Sequence, residues 1–64
     1  MLPEKALIAE KHKEVVLWNN RKYRIVGHHK NGQELVLIIQ GLGINPLHNG
    51  VIEVDADALM EVKN

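Results

Sequence analysis

The chain has 64 residues, no cysteine, eight basic and eight acidic side chains, and a formal net charge of zero. A single domain of this size, 1–64, buries only about 60% of the surface its unfolded chain exposes, so disulfides, metals or self-association commonly supplement such a core. The missing cysteines exclude disulfides and thiolate zinc sites and fit a reducing, cytoplasmic compartment, while the balanced charge excludes a generic polybasic nucleic-acid coat.

The opening stretch LPEKALIAEKHK reads as a short helix. Pro3 suits a first helical turn, and Glu4, Lys5, Ala6, Leu7, Ala9, Glu10 and Lys11 are helix formers. The run ALIA also fits a sheet edge, so residues 1–13 are read as a helix or an arm. Acids and lysines stand where a signal peptide needs apolar residues, and no apolar run reaches the ~18 residues of a membrane span. The expectation is a soluble protein without a membrane partner.

From Glu14 the pattern changes to strands, and 14–62 is expected to form the β domain. EVVLW is β-branched and aromatic, and Asn19-Asn20 tolerates the left-handed backbone of a tight turn. RKYRIVGHH is the second strand, Asn31-Gly32 a strong hairpin signal, and ELVLIIQ the third strand. GLGINPLHNG follows as a long loop whose Leu42, Ile44 and Leu47 either tuck under one end of the fold or form an apolar docking lip. VIEV is a strand, DADAL a single helical turn capped by Asp55 or Asp57, and MEV a last short strand.

Burial decides between registers for the second hairpin. A three-residue loop, Lys30-Asn31-Gly32, pairs His29 with Gln33 and gathers Tyr23, Ile25, Leu35, Leu37 and Ile39 on one face. Lys22, Arg24, His28 and Glu34 then share the other, together with Val26, Val36 and Ile38. An apolar stripe on a solvent face implies that the sheet curls onto itself or that another chain covers it. The expected core is Val16 or Val15, Tyr23, Ile25, Leu35, Leu37, Ile39, Val51 or Ile52, Leu59 and Val62.

Residues able to carry chemistry are few. The chain contains no Ser, Thr or Cys, and Tyr23 bears its only side-chain hydroxyl. Adjacent His28 and His29 point to opposite sides of a strand, which disfavours joint chelation; a histidine pairing across the ladder with Glu34 is the simpler reading. Asp55 and Asp57 have a capping role to fill. The expectation is therefore no enzyme, no catalytic residue, no metal and no cofactor.

The stretches EVVLWNNRKYRIVGHHKNGQELVLI and VIEVDADALMEV, in that order, resemble the meander and the closing strand, helical turn and final strand of small SH3-like β-barrels, including the Sm-like proteins. The resemblance implies a curled five-stranded antiparallel barrel, preceded here by a short helix, that serves as a binding module and in some cases forms rings. An Sm-type protein is expected to carry an aspartate in mid-meander and a glycine near the start of the second strand. HHKNG and RKYR occupy those places, so RNA-reading residues are not carried over.

Function is thus expected to be non-enzymatic binding. One surface would place Arg21, Lys22, Arg24 and Lys30 against phosphates of a nucleic acid, with Trp18 stacking on a base and His28 among the binding residues. The alternative is a protein adapter or inhibitor docking through Val36, Ile38, Leu42, Ile44 and Leu47. A third reading is a self-assembling subunit: seven cations stand against three acids before Asn31, and one against five after Lys30.

Overall fold

Pro3 begins a helix, α1 (Pro3–Lys11), in a computed structural model that describes residues 1–42 and 50–62. α1 ends where Lys13 turns left-handed at φ 55°. The Glu14 amide then bonds back to the Ala9 carbonyl at 2.9 Å, and the Lys13 amide to the Glu10 carbonyl at 3.2 Å. These two bonds form a Schellman stop, with lysine in the place glycine usually takes. The chain next builds β1 (Val15–Trp18), β2 (Arg21–Asn31), β3 (Glu34–Gly41) and β4 (Val51–Asp55). A 3-10 turn (Ala56–Ala58) leads into β5 (Met60–Glu61).

The strands form one antiparallel sheet in the order β4-β3-β2-β1-β5. The protein is mainly β with a short N-terminal helix, but its sheet is open rather than a closed barrel. β4 and β5 are the two edges, and no ladder joins them among the described residues. The physical reason lies in length: β5 pairs with β1 through only Leu17–Met60 and Val16–Glu61, too short a ribbon to close a cylinder. α1 and the 3-10 turn pack together over the inner face and contribute three buried alanines to its core.

Both hairpins turn on left-handed residues. Asn19 (φ 53°) and Asn20 (φ 62°) occupy the two turn positions between β1 and β2, the arrangement of a type I′ turn. Between β2 and β3 the two-residue loop is Gly32-Gln33, with Gly32 at φ 67° and Asn31 paired to Glu34. The expected three-residue loop pairing His29 with Gln33 is not formed. In its place a bulge at Val26 shifts the ladder by one residue, from Gly27–Ile38 to Ile25–Ile39. Because side chains alternate, one extra residue exchanges the faces of everything beyond it. Tyr23 and Ile25 therefore still point inward beside Leu35, Leu37 and Ile39, as burial demands. His28, now opposite Leu37, belongs to the inner side and not with Lys22 and Arg24.

The core comprises Val16, Tyr23, Ile25, Leu35, Leu37, Ile39, Val54 and Leu59, with Ala6, Ala9 and Ala56. Val51 is exposed, and Ile52 and Val62 are only half-buried. The helix meets this core through Ala6 and Ala9, one turn apart, and leaves the larger Leu7 and Ile8 outside. Small side chains bring the helix axis close to the sheet. The expected side-chain cap on the 3-10 turn is absent: Asp55 stands at the cap position without bonding through its carboxylate.

Two backbone variants test this description with opposite signs. Lys13→Gly should stabilise the protein by about 0.5–1 kcal/mol by relieving the left-handed lysine. Gly32→Ala should destabilise it by about 1 kcal/mol, even though an added methyl there meets nothing within 4 Å. Urea unfolding curves measure both, with Gly50→Ala, which also meets nothing, as the reference. In the core, Leu37→Ala should cost about 2–5 kcal/mol, enough to leave much of so small a domain unfolded.

Candidate interaction surface

The pleat that buries one side of each strand presents the other as a continuous outer face. Along β1 and β2, Val15 lies opposite Arg24 and Leu17 opposite Lys22; Leu17 also faces Met60 of β5. Farther across, Arg24 faces Gln40, and Gln40 faces Val51. Gly27, Ile38 and Glu53 make the next row, and His29, Val36 and Asp55 the one after. Asn31 and Glu34 finish the face. A methyl added at Gly27 would touch the Ile38 side chain at 3.4 Å, so Ile38 lies over bare backbone there.

Apolar and charged side chains share the rows of this face: Lys22 stands with Leu17 and Met60, Arg24 with Val15 and Val51, Glu53 with Ile38, and Asp55 with Val36. Val15, Leu17, Val36 and Ile38 are half-buried, while Val51 and Met60 are 55% and 64% exposed. At the end near the Asn19-Asn20 turn stand Lys22 and Arg24, both exposed. At the end near the Gly32-Gln33 turn stand Glu34 and Asp55, also exposed, with Glu53 nearby. None of Lys22, Arg24, Glu34 and Asp55 makes an ion pair among the described residues.

The six residues expected to contact nucleic acid do not share a surface. Lys22 and Arg24 lie on the outer face, and Arg24 also borders a cleft of about 320 Å³ with Glu10, Lys13, Ile25 and Val26. Arg21, paired with Trp18, alternates to the other side, as does Lys30, opposite Leu35. Trp18 is half-buried against the core and stands edge-on to Tyr23 with ring centroids 5.8 Å apart.

The histidines also pair differently from expectation, and neither reaches Glu34. His28 Nδ1–H donates to the Glu10 carboxylate at 2.6 Å, tying the last turn of α1 to β2. His29 is hydrogen-bonded through Nε2 to Glu53, bridging β2 to β4 across β3. The register of the Gly32-Gln33 turn, the helix end and the place of β4 beside β3 decide these partners.

Of the residues expected to dock a protein, Val36 and Ile38 lie on the outer face, and Leu42 is exposed just past β3. Ile44 and Leu47 fall outside the described residues. Sequence reasoning missed Leu17, Val15, Val51 and Met60 as members of the face. For Val15 and Val51 the signal was a two-fold choice of strand phase that alternation leaves open. Pairing of β5 with β1, a contact distant in sequence, was needed for Met60.

A second depression of about 310 Å³ runs between α1 and the β1–β5 edge, with Ile8, Val15 and Val62 in its wall and Lys5, Glu14 and Glu61 in its lining. Lys5 and Glu61 are paired at 3.5 Å. No group of three metal-ligating side chains occurs among the described residues, nor is any helix there long and apolar enough to cross a membrane. Compared with models of protein families, with curated proteins and with solved structures, the chain finds no match in any of the three.

The two histidine pairs sit in solvent with half-exposed imidazoles. A double-mutant cycle on Glu10→Gln and His28→Gln should return a coupling below about 1 kcal/mol, as for other exposed charged pairs. A similar cycle on Glu53 and His29, read by urea unfolding, should do the same. A larger coupling would mean that these contacts, rather than the alanine seam, hold α1 and β4 in place.

Proposed function

We propose that this chain is a non-enzymatic, SH3-like interaction module of the cytoplasm that binds a protein partner through the outer face of its sheet. One observation carries the reading. Val15, Leu17 and Met60 on β1 and β5, and Val36, Ile38 and Val51 on β3 and β4, are apolar residues on the side of the sheet that its own core does not use. A domain this small has few large aliphatics, and apolar side chains interleaved with charge on an uncovered face suit protein contact. The absence of Ser, Thr and Cys supports binding over covalent catalysis, and lack of cysteine suits a reducing compartment. The strand order, with the last strand returning beside the first, supports the SH3-like resemblance.

A second reading, nucleic-acid binding, rests on unpaired Lys22 and Arg24 on that same face. It is the weaker of the two. Trp18 is engaged by Tyr23, Arg21 and Lys30 alternate to the other side, and Glu34, Glu53 and Asp55 would repel phosphate at the far end of the face.

Val51→Asp and Met60→Asp change exposed positions and should leave the melting temperature within a few degrees of the parent. Both should abolish capture of a protein partner from cell extract by the immobilised chain, whereas Leu2→Asp, equally exposed but on the N-terminal arm, should not. Capture that survives both outer-face changes would move the surface elsewhere. For the second reading, oligonucleotide affinity would have to fall with salt by a log–log slope of about −0.7 to −0.9 per phosphate contact. It would also have to vanish in Lys22→Ala with Arg24→Ala. Neither behaviour is expected.

A further inference from the structure

We propose that the outer face is its own partner: two copies of the chain dock face to face about a two-fold axis lying in the plane of contact and running across the strands. This inference rests on the protein-docking reading above and names the occupant. Its basis is the arrangement of charge. On one face the chain leaves Lys22 and Arg24 unpaired toward one end and Glu34 and Asp55 unpaired toward the other, with Ile38 in the row between them and apolar side chains beside each charge. The whole chain is nevertheless neutral. A partner of one sign would satisfy one end and be repelled by the other. A second copy, reversed along the strands, satisfies both.

The symmetry follows from the map of the face. Stacking two copies with their strands running the same way would set Lys22 and Arg24 over Lys22 and Arg24. Reversal lays that end of each copy over the Gly32-Gln33 end of the other, where Glu34 and Asp55 stand. Ile38, in the middle row, meets its own copy, and Val36 meets the row of Gln40 and Val51. An isologous contact of this kind counts each favourable pair twice.

Association through the sheet edges has less to offer. β4 offers only five residues to pair with its own copy, and β5 only two. Stability points the same way as charge. A 64-residue chain without cysteine has little other means of enlarging its buried surface.

The test is solution mass by sedimentation equilibrium, on the full chain and on charge-swapped variants. The parent should run near twice 7.2 kDa at low salt and move toward the monomer mass as salt rises. Lys22→Glu with Arg24→Glu should weaken self-association by at least about tenfold, because each copy now presents acid to acid. Glu34→Lys with Asp55→Lys should do the same with cations. Mixing the two variants should restore a dimer, since every reversed charge then meets its opposite.

A parent that stays monomeric to millimolar concentration overturns the second copy as occupant. A dimer indifferent to both swaps, or variants that fail to rescue one another while keeping the parent melting temperature, overturns the face-to-face geometry. These outcomes separate from the broader reading. A monomer whose captured protein is lost in Val51→Asp and Met60→Asp keeps the docking face and changes its partner. Capture indifferent to those substitutions removes the face itself.

Discussion

Alternation along β2 and β3 is the constraint on which the rest of the molecule depends. A pleated strand sends successive side chains to opposite faces, so a hairpin's turn and its hydrophobic pattern must agree in phase. Here they do not agree directly. The two-residue turn at Gly32-Gln33 pairs Leu35 with Lys30 and Leu37 with His28, a phase that would turn Ile25 and Tyr23 out to solvent. One bulged residue, Val26, corrects it, so that Ile25 meets Ile39 on the buried side. Lys22 and Arg24 are outward for that reason alone, whereas His28 and His29, on the turn side of the bulge, divide between the faces by simple alternation.

The core assembled on the inner face is economical. Its largest fully buried side chains are Leu37, Ile39, Leu59 and Val16, and the helix that covers part of it contributes only Ala6 and Ala9. Alanine contacts bring helix and sheet close together but remove little apolar area from water per residue. Leu7 and Ile8 lie outside that seam, so α1 is held by closeness of fit, the Schellman stop at Lys13, and Glu10 bonded to His28. Val15, Leu17, Val36, Ile38, Val51 and Met60 are on the other side of the sheet.

Charge is sorted by the same geometry. Carboxylates within reach of a basic side chain are paired at modest strength: Glu10 with His28, Glu53 with His29, Glu61 with Lys5. Left over are two cations and two carboxylates on one face, held apart because β2 begins at the end of the sheet where β3 finishes and β4 starts. The excess of cations before Asn31 and of acids after it thus survives as a spatial separation on this face, though strand pairing neutralises part of it elsewhere.

Local chemistry determined the elements. Pro3 and the helix formers after it, the Asn19-Asn20 turn, the β-branched runs, and the extra helical turn before a last short strand are all written in residues adjacent in the chain, and each forms where those residues stand. So is the identity of most core aliphatics, because Tyr23, Ile25, Leu35, Leu37 and Ile39 bury in any arrangement that keeps them together. Tertiary structure decided what depends on distant contacts: the bulge at Val26, the choice of Val16 over Val15 and Ile52 over Val51 as inward residues, and the use of Ala6 and Ala9 instead of Leu7 and Ile8. It also set the partners of both histidines and the place of Met60 beside Leu17. The reason is that a strand's phase costs almost nothing to shift locally. Only the sum of burial across five strands and a helix selects one phase, and with it which residues the protein shows to a partner.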